Sequence, residues 1–231
     1  MSTASAGVIC WDFDHTLFGY QPTAAPAPHV VSDAAFAGFG VRRGIEQTLE
    51  RLAELGYAHD ITTGGSLDYV RRALAAVGAS DLARHFTHIF PGDAISAGAG
   101  KCYQPAARAH GLADEDASAR MIVIGDLSDD EPADLASVVL IRQPNGHRQD
   151  PRVVADLIVR LRAAGDGSFY AGFVGMLAQA RAGGREIPYG GHLAQIVEGT
   201  AICCAERPPG PRRSARLGAV PTPTITLLAT G

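Results

Sequence analysis

No run of about 18 apolar residues occurs in the chain, the shortest length that spans a bilayer as a helix, so no membrane partner is expected. Excess charge is also lacking. Twenty basic residues face 24 acidic ones, for a net charge of −4. That field is too weak to gather nucleic acid or an anionic surface, and neither partner is indicated. Cysteines are few, and Cys10, Cys102, Cys203 and Cys204 have the spacing of neither a zinc site nor a disulfide framework. Adjacent Cys203 and Cys204 are expected to be two buried thiols in a reducing, cytoplasmic setting. Residues 1–7 lack the basic region and long apolar stretch of a secretory leader. No internal repeat is present, and no GxxxxGK[ST] phosphate loop. What remains is ordinary globular composition, 46% hydrophobic and 19% charged over 231 residues, enough for one sizeable core.

Short apolar segments alternate with segments of helical period. Gly7 to Trp11 reads as a buried strand ending at Asp12, Tyr57 to Thr62 as a second, His88 to Phe90 as a brief third, Met121 to Ile124 as a fourth and Val138 to Ile141 as a fifth. Between them, Arg42 to Gly56, Leu67 to Val77 and Tyr103 to His110 carry apolar residues at helical spacing with glycine stop signals. Gln21 to Pro28, rich in proline and alanine, is a loop. The alternation predicts an α/β fold: an open, mostly parallel, Rossmann-like sheet with helices on both faces. It runs regularly to about Ala164. Beyond it, residues 165–205 are expected as a helical C-terminal extension packed on the domain, with one helix over Ser168 to Ala180 and a second over Leu193 to Cys204. Residues 206–231 are expected as a loosely held tail, in which Ile225 to Leu228 offers at most an edge strand.

Polar residues gather at the predicted strand ends. Asp12-Phe13-Asp14-His15-Thr16 follows the first strand and Thr63-Gly64 the second; Lys101 opens a helix after a glycine-rich stretch; Gly125-Asp126 closes the fourth strand, with Asp129 and Asp130 just beyond. In a parallel sheet the carboxyl ends of neighbouring strands converge on one crevice. Clustered carboxylates repel, and burying them is costly unless a cation compensates. A hard divalent ion such as Mg²⁺ suits them, because it takes few protein oxygens and shares its shell with water and phosphate. With the repulsion relieved, Asp12 can attack phosphorus to give an aspartyl-phosphate. Asp14 can protonate the leaving oxygen and then deprotonate water. The Thr63 hydroxyl and nearby backbone N–H groups can hold phosphoryl oxygens, and Lys101 supplies fixed positive charge.

This ordered set resembles the haloacid dehalogenase superfamily of phosphatases. Asp12-x-Asp14-x-Thr16 is similar to its first motif, Ile61-Thr62-Thr63-Gly64 to its second, Lys101 to its third, and Gly125-Asp126-Leu127-Ser128-Asp129-Asp130 to the GDxxxD form of its fourth. The resemblance covers roughly residues 7–164. It implies Mg²⁺ bound by Asp12, the Asp14 backbone carbonyl and Asp126, with Asp130 in support, and a phosphoryl group held by Thr16, Thr63, Gly64 and Lys101. The second acid at Asp14 points to the phosphatases of that superfamily, hence to a hydrolase of phosphomonoesters. Residues 17–41 are too short for a full helical cap and leave a minimal one, so the crevice is open or lightly covered. Small molecules and macromolecules both remain as phosphorylated substrates.

Two other readings use the same residues. A response-regulator receiver domain also joins acids, a hydroxyl and a lysine around a phosphorylated aspartate, but its acidic pair comes first and its phosphoacceptor later. A catalytically silent binding or regulatory module on the same fold is the alternative from another class, and the intact acid, hydroxyl and lysine set argues against it. Outside the set, His15 is expected to pack at a turn, His59 and Asp60 to pair with polar neighbours inside a strand, Gly92 to Gly100 to be a flexible connector, and Arg142 to lie at the surface. The Phe169, Phe173 and Met176 stripe reads as core contact. Arg207, Arg212, Arg213 and Arg216 read as a solvated tail.

Overall fold

A computed structural model describes residues 6–20, 33–96, 100–126, 130–143, 150–189 and 192–204. Five strands form its parallel centre: β1 (Gly7–Trp11), β4 (Tyr57–Thr62), β5 (His88–Phe90), β6 (Met121–Gly125) and β7 (Val139–Arg142), in the order β5-β4-β1-β6-β7. The chain winds outward from β1 on one side, then returns to wind outward on the other. This is the doubly wound, Rossmann-like arrangement, and its order reverses beside β1. Two short strands, β2 (Phe18–Tyr20) and β3 (Phe39–Val41), pair antiparallel in a separate ribbon just after the first motif. Between them, Asp33 caps a 3-10 turn over Ala34–Phe36. The proline-rich Gln21 to Pro28 lies outside the described residues.

Strand periodicity explains the layering. In β1, Ile9 and Trp11 point to one face while Val8 and Cys10 point to the other; Ile122 and Ile124 oppose Met121 and Val123 in β6 in the same way. The first face packs against α1 (Ile45–Glu54), α2 (Leu67–Ala76), α6 (Arg152–Ala164) and α7 (Phe169–Ala182) through Leu49, Leu74, Leu157 and Phe173. The second packs against α3 (Gly92–Ile95), α4 (Gln104–Ala109) and α5 (Asp114–Arg120) through Ile95, Ala106, Ala107 and Ala117. The strands of the parallel centre are buried on both faces, which is why β1 and β6 read as continuous apolar runs, whereas β4 carries the buried polar pair His59 and Asp60.

The helix expected over Leu193 to Cys204 is instead a pair of strands. β10 (Thr200–Cys204) runs antiparallel to β7, and β9 (His192–Val197) and β8 (Glu186–Tyr189) extend the same sheet to eight strands. The C-terminal extension is therefore α7 followed by a three-stranded antiparallel edge. The misreading has a physical cause. Ile202 and Cys204 face one core and Cys203 the other, so β10 shows no alternation of polarity. The turn before it holds Glu198 and Gly199 at φ 53° and 77°, both left-handed. That is the pattern of a two-residue hairpin turn, but with glutamate where asparagine or aspartate would advertise it. The four cysteines are free, with Cys10, Cys203 and Cys204 buried as expected. No helix among the described residues is long and apolar enough to cross a membrane. The tail, with Ile225 to Leu228 and its arginines, lies outside the described residues.

α6 and α7 form a helical hairpin whose close approach depends on Gly172. A Cβ there would stand 1.8 Å from the Leu161 carbonyl oxygen, a backbone atom that cannot swing aside. Gly172→Ala should therefore separate the helices and cost about 3 kcal/mol, at the upper end of ordinary overpacking. Urea unfolding measures it directly, and a loss under about 0.5 kcal/mol, within the ordinary surface range, would show that the two helices are not packed this closely.

Candidate active site

The polar side chains at the carboxyl ends of β1, β4 and β6 meet. Asp12 directly follows β1, and its backbone N–H donates to the Ile124 carbonyl at 2.8 Å, fixing it beside the end of β6. The Lys101 ammonium donates to Asp12 Oδ1 at 2.6 Å, to Asp130 Oδ1 at 2.5 Å and to the Thr62 carbonyl at 3.2 Å. Asp126 completes the cluster: one carboxylate oxygen from each of Asp12, Asp126 and Asp130 lies within 4.8 Å of the others.

Local backbone chemistry builds this. Gly125 must be glycine, because a Cβ there would lie 2.1 Å from Asp130 Oδ2. That same oxygen accepts the Asp126 backbone N–H at 3.0 Å. The sequence suggests that Lys101 opens a helix, and it does not. It lies three residues ahead of α4 in extended backbone, where its N–H donates to Glu131 and its carbonyl accepts from Ala133. The Tyr103 hydroxyl donates to the Asp130 carbonyl at 2.8 Å. The lysine and the aspartate it bridges are thus laced together by their own main chains. The stretch before Lys101 begins as α3, with Gly92 packed so tightly on the Gly64 carbonyl that a Cβ would stand 2.2 Å from it; residues 97–99 and Asp129 lie outside the described residues.

Electrostatics follow from burial. Desolvation, then the Asp130 carboxylate, push Asp12 up to about 8 against the pull of Lys101. Desolvation alone would lower the Lys101 ammonium, but Asp12 and Asp130 outweigh it and raise it. The Lys101 ammonium thus bridges two of three neighbouring carboxylates, and those two, Asp12 and Asp130, are buried. A divalent cation with hard oxygen ligands fits that donor set, since it would let Asp12 ionise at neutral pH.

The other expected residues surround the cluster. Asp14 is half-buried, and its Oδ1 accepts from the Tyr69 hydroxyl at 2.6 Å. His15 is exposed at φ 58°, a left-handed turn that folds Leu17 and Phe18 back onto the Phe13 carbonyl. Thr16 is buried, and its hydroxyl finds no hydrogen-bond partner among the described residues. Thr63 immediately follows β4, its hydroxyl accepting the Gly65 N–H at 3.0 Å while its own proton stays available to donate. Gly64 is exposed beside it.

Two residues join the site that sequence reasoning did not place there, and a third, Arg42, braces the elements around it. Tyr69, on α2, is held among Phe13 and Phe36, with ring centroids 6.0 and 5.8 Å away. Burial, then Asp14, push its phenol well up, so it remains a donor. Arg142, expected at the surface, is half-buried, and its Nε donates to the Asp126 carbonyl at 2.8 Å. Arg42, fully buried at the end of β3, donates to the Gln143 side chain and so ties the β2–β3 ribbon to the end of β7.

No protein-family model matches the chain, and no curated protein matches it. Solved structures do. A haloacid dehalogenase-like family hydrolase from Xanthomonas campestris is 17% identical over 68% of this chain and 96% of its own, with a TM-score of 0.44. A haloacid dehalogenase-like family hydrolase from Streptococcus pneumoniae is 18% identical over 53% of this chain and 77% of its own, at 0.36. A HAD family hydrolase from Deinococcus radiodurans R1, with bound phosphate and sodium, is 16% identical over 54% of this chain and 74% of its own, at 0.38.

Proposed function

We propose that the chain is a hydrolase of the haloacid dehalogenase type, a Mg²⁺-dependent phosphatase that works through an aspartyl-phosphate on Asp12. The observation that carries this reading is the Lys101 ammonium bridging Asp12 and Asp130, with Asp126 in the same cluster, at the carboxyl edge where the strand order reverses. Asp12, the Asp14 backbone carbonyl and Asp126 would hold the metal, with Asp130 in support. Bound there, Mg²⁺ supplies the positive charge that lets a phosphate dianion approach a carboxylate.

The residues then divide the work. Lys101 holds the Asp12 carboxylate in place and keeps a positive charge beside the transferring group. Thr16 and Thr63 offer hydroxyl protons, and the Gly64 turn offers backbone N–H groups, to the phosphoryl oxygens. Asp12 attacks phosphorus, while Asp14 gives its proton to the departing alcohol. Asp14 next takes a proton from water, which attacks the aspartyl-phosphate and frees phosphate and Asp12. Tyr69 sets the direction from which Asp14 reaches in.

The test is hydrolysis of a generic aryl phosphate by the full chain. Activity should disappear after chelation and return with Mg²⁺, while Ca²⁺ should restore little, since its larger and looser shell misplaces the phosphoryl group. In parallel, calorimetry should find Mg²⁺ binding that Asp126→Asn weakens. Full activity after exhaustive metal removal sinks the metal assignment. No hydrolysis of any phosphomonoester, with Mg²⁺ bound, favours a silent binding module instead.

A further inference from the structure

A second titratable cluster lies apart from Asp12, on the sheet face that carries α3 to α5. Asp60, in the middle of β4, is wholly buried at 0% exposure. Its Oδ1 accepts the His88 backbone N–H at 3.1 Å and lies 3.1 Å from His88 Nδ1; its Oδ2 lies 2.8 Å from Nε2 of His110, the residue that caps α4. The two imidazoles meet edge to face, with centroids 5.0 Å apart. Neighbouring His59 points the opposite way and is accounted for: its Nδ1 accepts from the Trp11 indole and its Nε2 donates to the Leu49 carbonyl. Asp60, His88 and His110 have no such role in the reaction.

A carboxylate this deeply buried needs a compensating charge. Among the described residues, its ion-pair partners are the two imidazoles, with no lysine or arginine. The charge can come from protons on those rings or from a metal that replaces them. Three features select the metal. Two imidazole nitrogens and one carboxylate oxygen form a ligand set of the borderline kind that zinc takes and that Mg²⁺ and Ca²⁺ do not favour. The three ligand atoms lie within 4.8 Å of one another. Both ring nitrogens already face the one carboxylate, His88 Nδ1 at 3.1 Å from Oδ1 and His110 Nε2 at 2.8 Å from Oδ2, so the three side chains converge on one place.

We propose that Asp60, His88 and His110 form a zinc site, with water as the fourth ligand. The imidazole side chains keep 11% and 13% of their surface exposed, which gives an ion its way in and the water its place. Zinc here would staple β4 and β5 to the end of α4. The same short helix begins just after Lys101, so the staple would steady the segment that carries the lysine.

The experiment uses the full chain, stripped with a chelator and returned to excess Mg²⁺ so that the all-carboxylate site is filled. Titration with Zn²⁺ should then show one equivalent bound. Co²⁺ in its place should give the intense visible absorption of a four-coordinate ion. His110→Ala, and His110→Gln, which keeps a hydrogen-bond donor beside Asp60, should each weaken zinc binding about 100-fold and abolish the rise in melting temperature that zinc gives the wild type. Asp126→Asn, which alters only the carboxylate cluster, should bind zinc as the wild type does. No zinc uptake from a micromolar solution would overturn the proposal and leave a proton-compensated hydrogen-bond network. Uptake that persists in His110→Ala, or that is lost in Asp126→Asn, would overturn it as well, by assigning the ion elsewhere.

Discussion

Asp12→Asn should lower turnover of any phosphomonoester by a factor on the order of 10⁴ or more, with folding intact. The substitution keeps the planar shape at the end of β1 and removes the oxygen that attacks phosphorus. Structural damage should be slight, and the reason lies in the charges. The wild-type carboxylate is driven up to about 8 by burial and by Asp130, so the metal-free protein already holds it in an unfavourable environment. Asparagine is neutral there, and Lys101 keeps its 2.5 Å bond to Asp130. The melting temperature of the metal-free variant should therefore equal or exceed that of the wild type, while activity collapses. Intact-mass measurement after brief exposure to an activated aryl phosphate should show a phosphorylated wild type and an unmodified variant. Near-normal turnover in Asp12→Asn would remove the covalent mechanism.

The parts of this picture that were legible in the sequence share a property. Asp12, Thr63 and Asp126 stand where a short apolar run stops, so their meeting follows from the topology of a parallel sheet. No side-chain packing is needed to foresee it. Lys101 reaches them from the segment beyond β5 that pairs with Glu131 and Ala133. Tyr69 illustrates the opposite case. Within α2 it reads as one more residue on an amphipathic helix, and only the crossing of that helix over Phe13 brings its hydroxyl to Asp14. Arg142 likewise reads as the polar residue that ends a strand, and its bond to the Asp126 carbonyl depends on the parallel register that sets Gly125 opposite Arg142. Asp60 could be seen to be polar inside a strand, but its partners lie 28 and 50 residues further on. The antiparallel edge was hidden for another reason. A strand buried on both faces and a buried helix present the same apolar run, and the turn that would have separated them carries a glutamate.

Asp14→Asn should separate two roles that position alone leaves joined. If the carboxyl group gives a proton to the leaving oxygen, its loss should hurt most where that oxygen is a poor leaving group. An alkoxide departing from a sugar or serine phosphate needs the proton; a nitrophenolate hardly does. Formation of the aspartyl-phosphate should therefore slow by about 10² to 10⁴ on alkyl phosphates and much less on activated aryl ones. The second step should slow on both, because the same carboxylate activates water. With an activated substrate the phosphorylated Asp12 should then accumulate, visible as an early burst of phenolate and as added mass on the protein. Metal affinity should change little, since the ligand assigned at this residue is its backbone carbonyl. Tyr69→Phe supplies the matching control. It leaves the carboxyl group in place but removes the hydroxyl that anchors Asp14 Oδ1 at 2.6 Å. The expected result is a smaller loss of the same leaving-group pattern, without a trapped intermediate, because a misdirected carboxylate still serves both steps. Equal losses of Asp14→Asn on alkyl and aryl phosphates, with no accumulated phosphoenzyme, would reduce Asp14 to a shaping residue of the metal site and transfer the acid and base roles to another group.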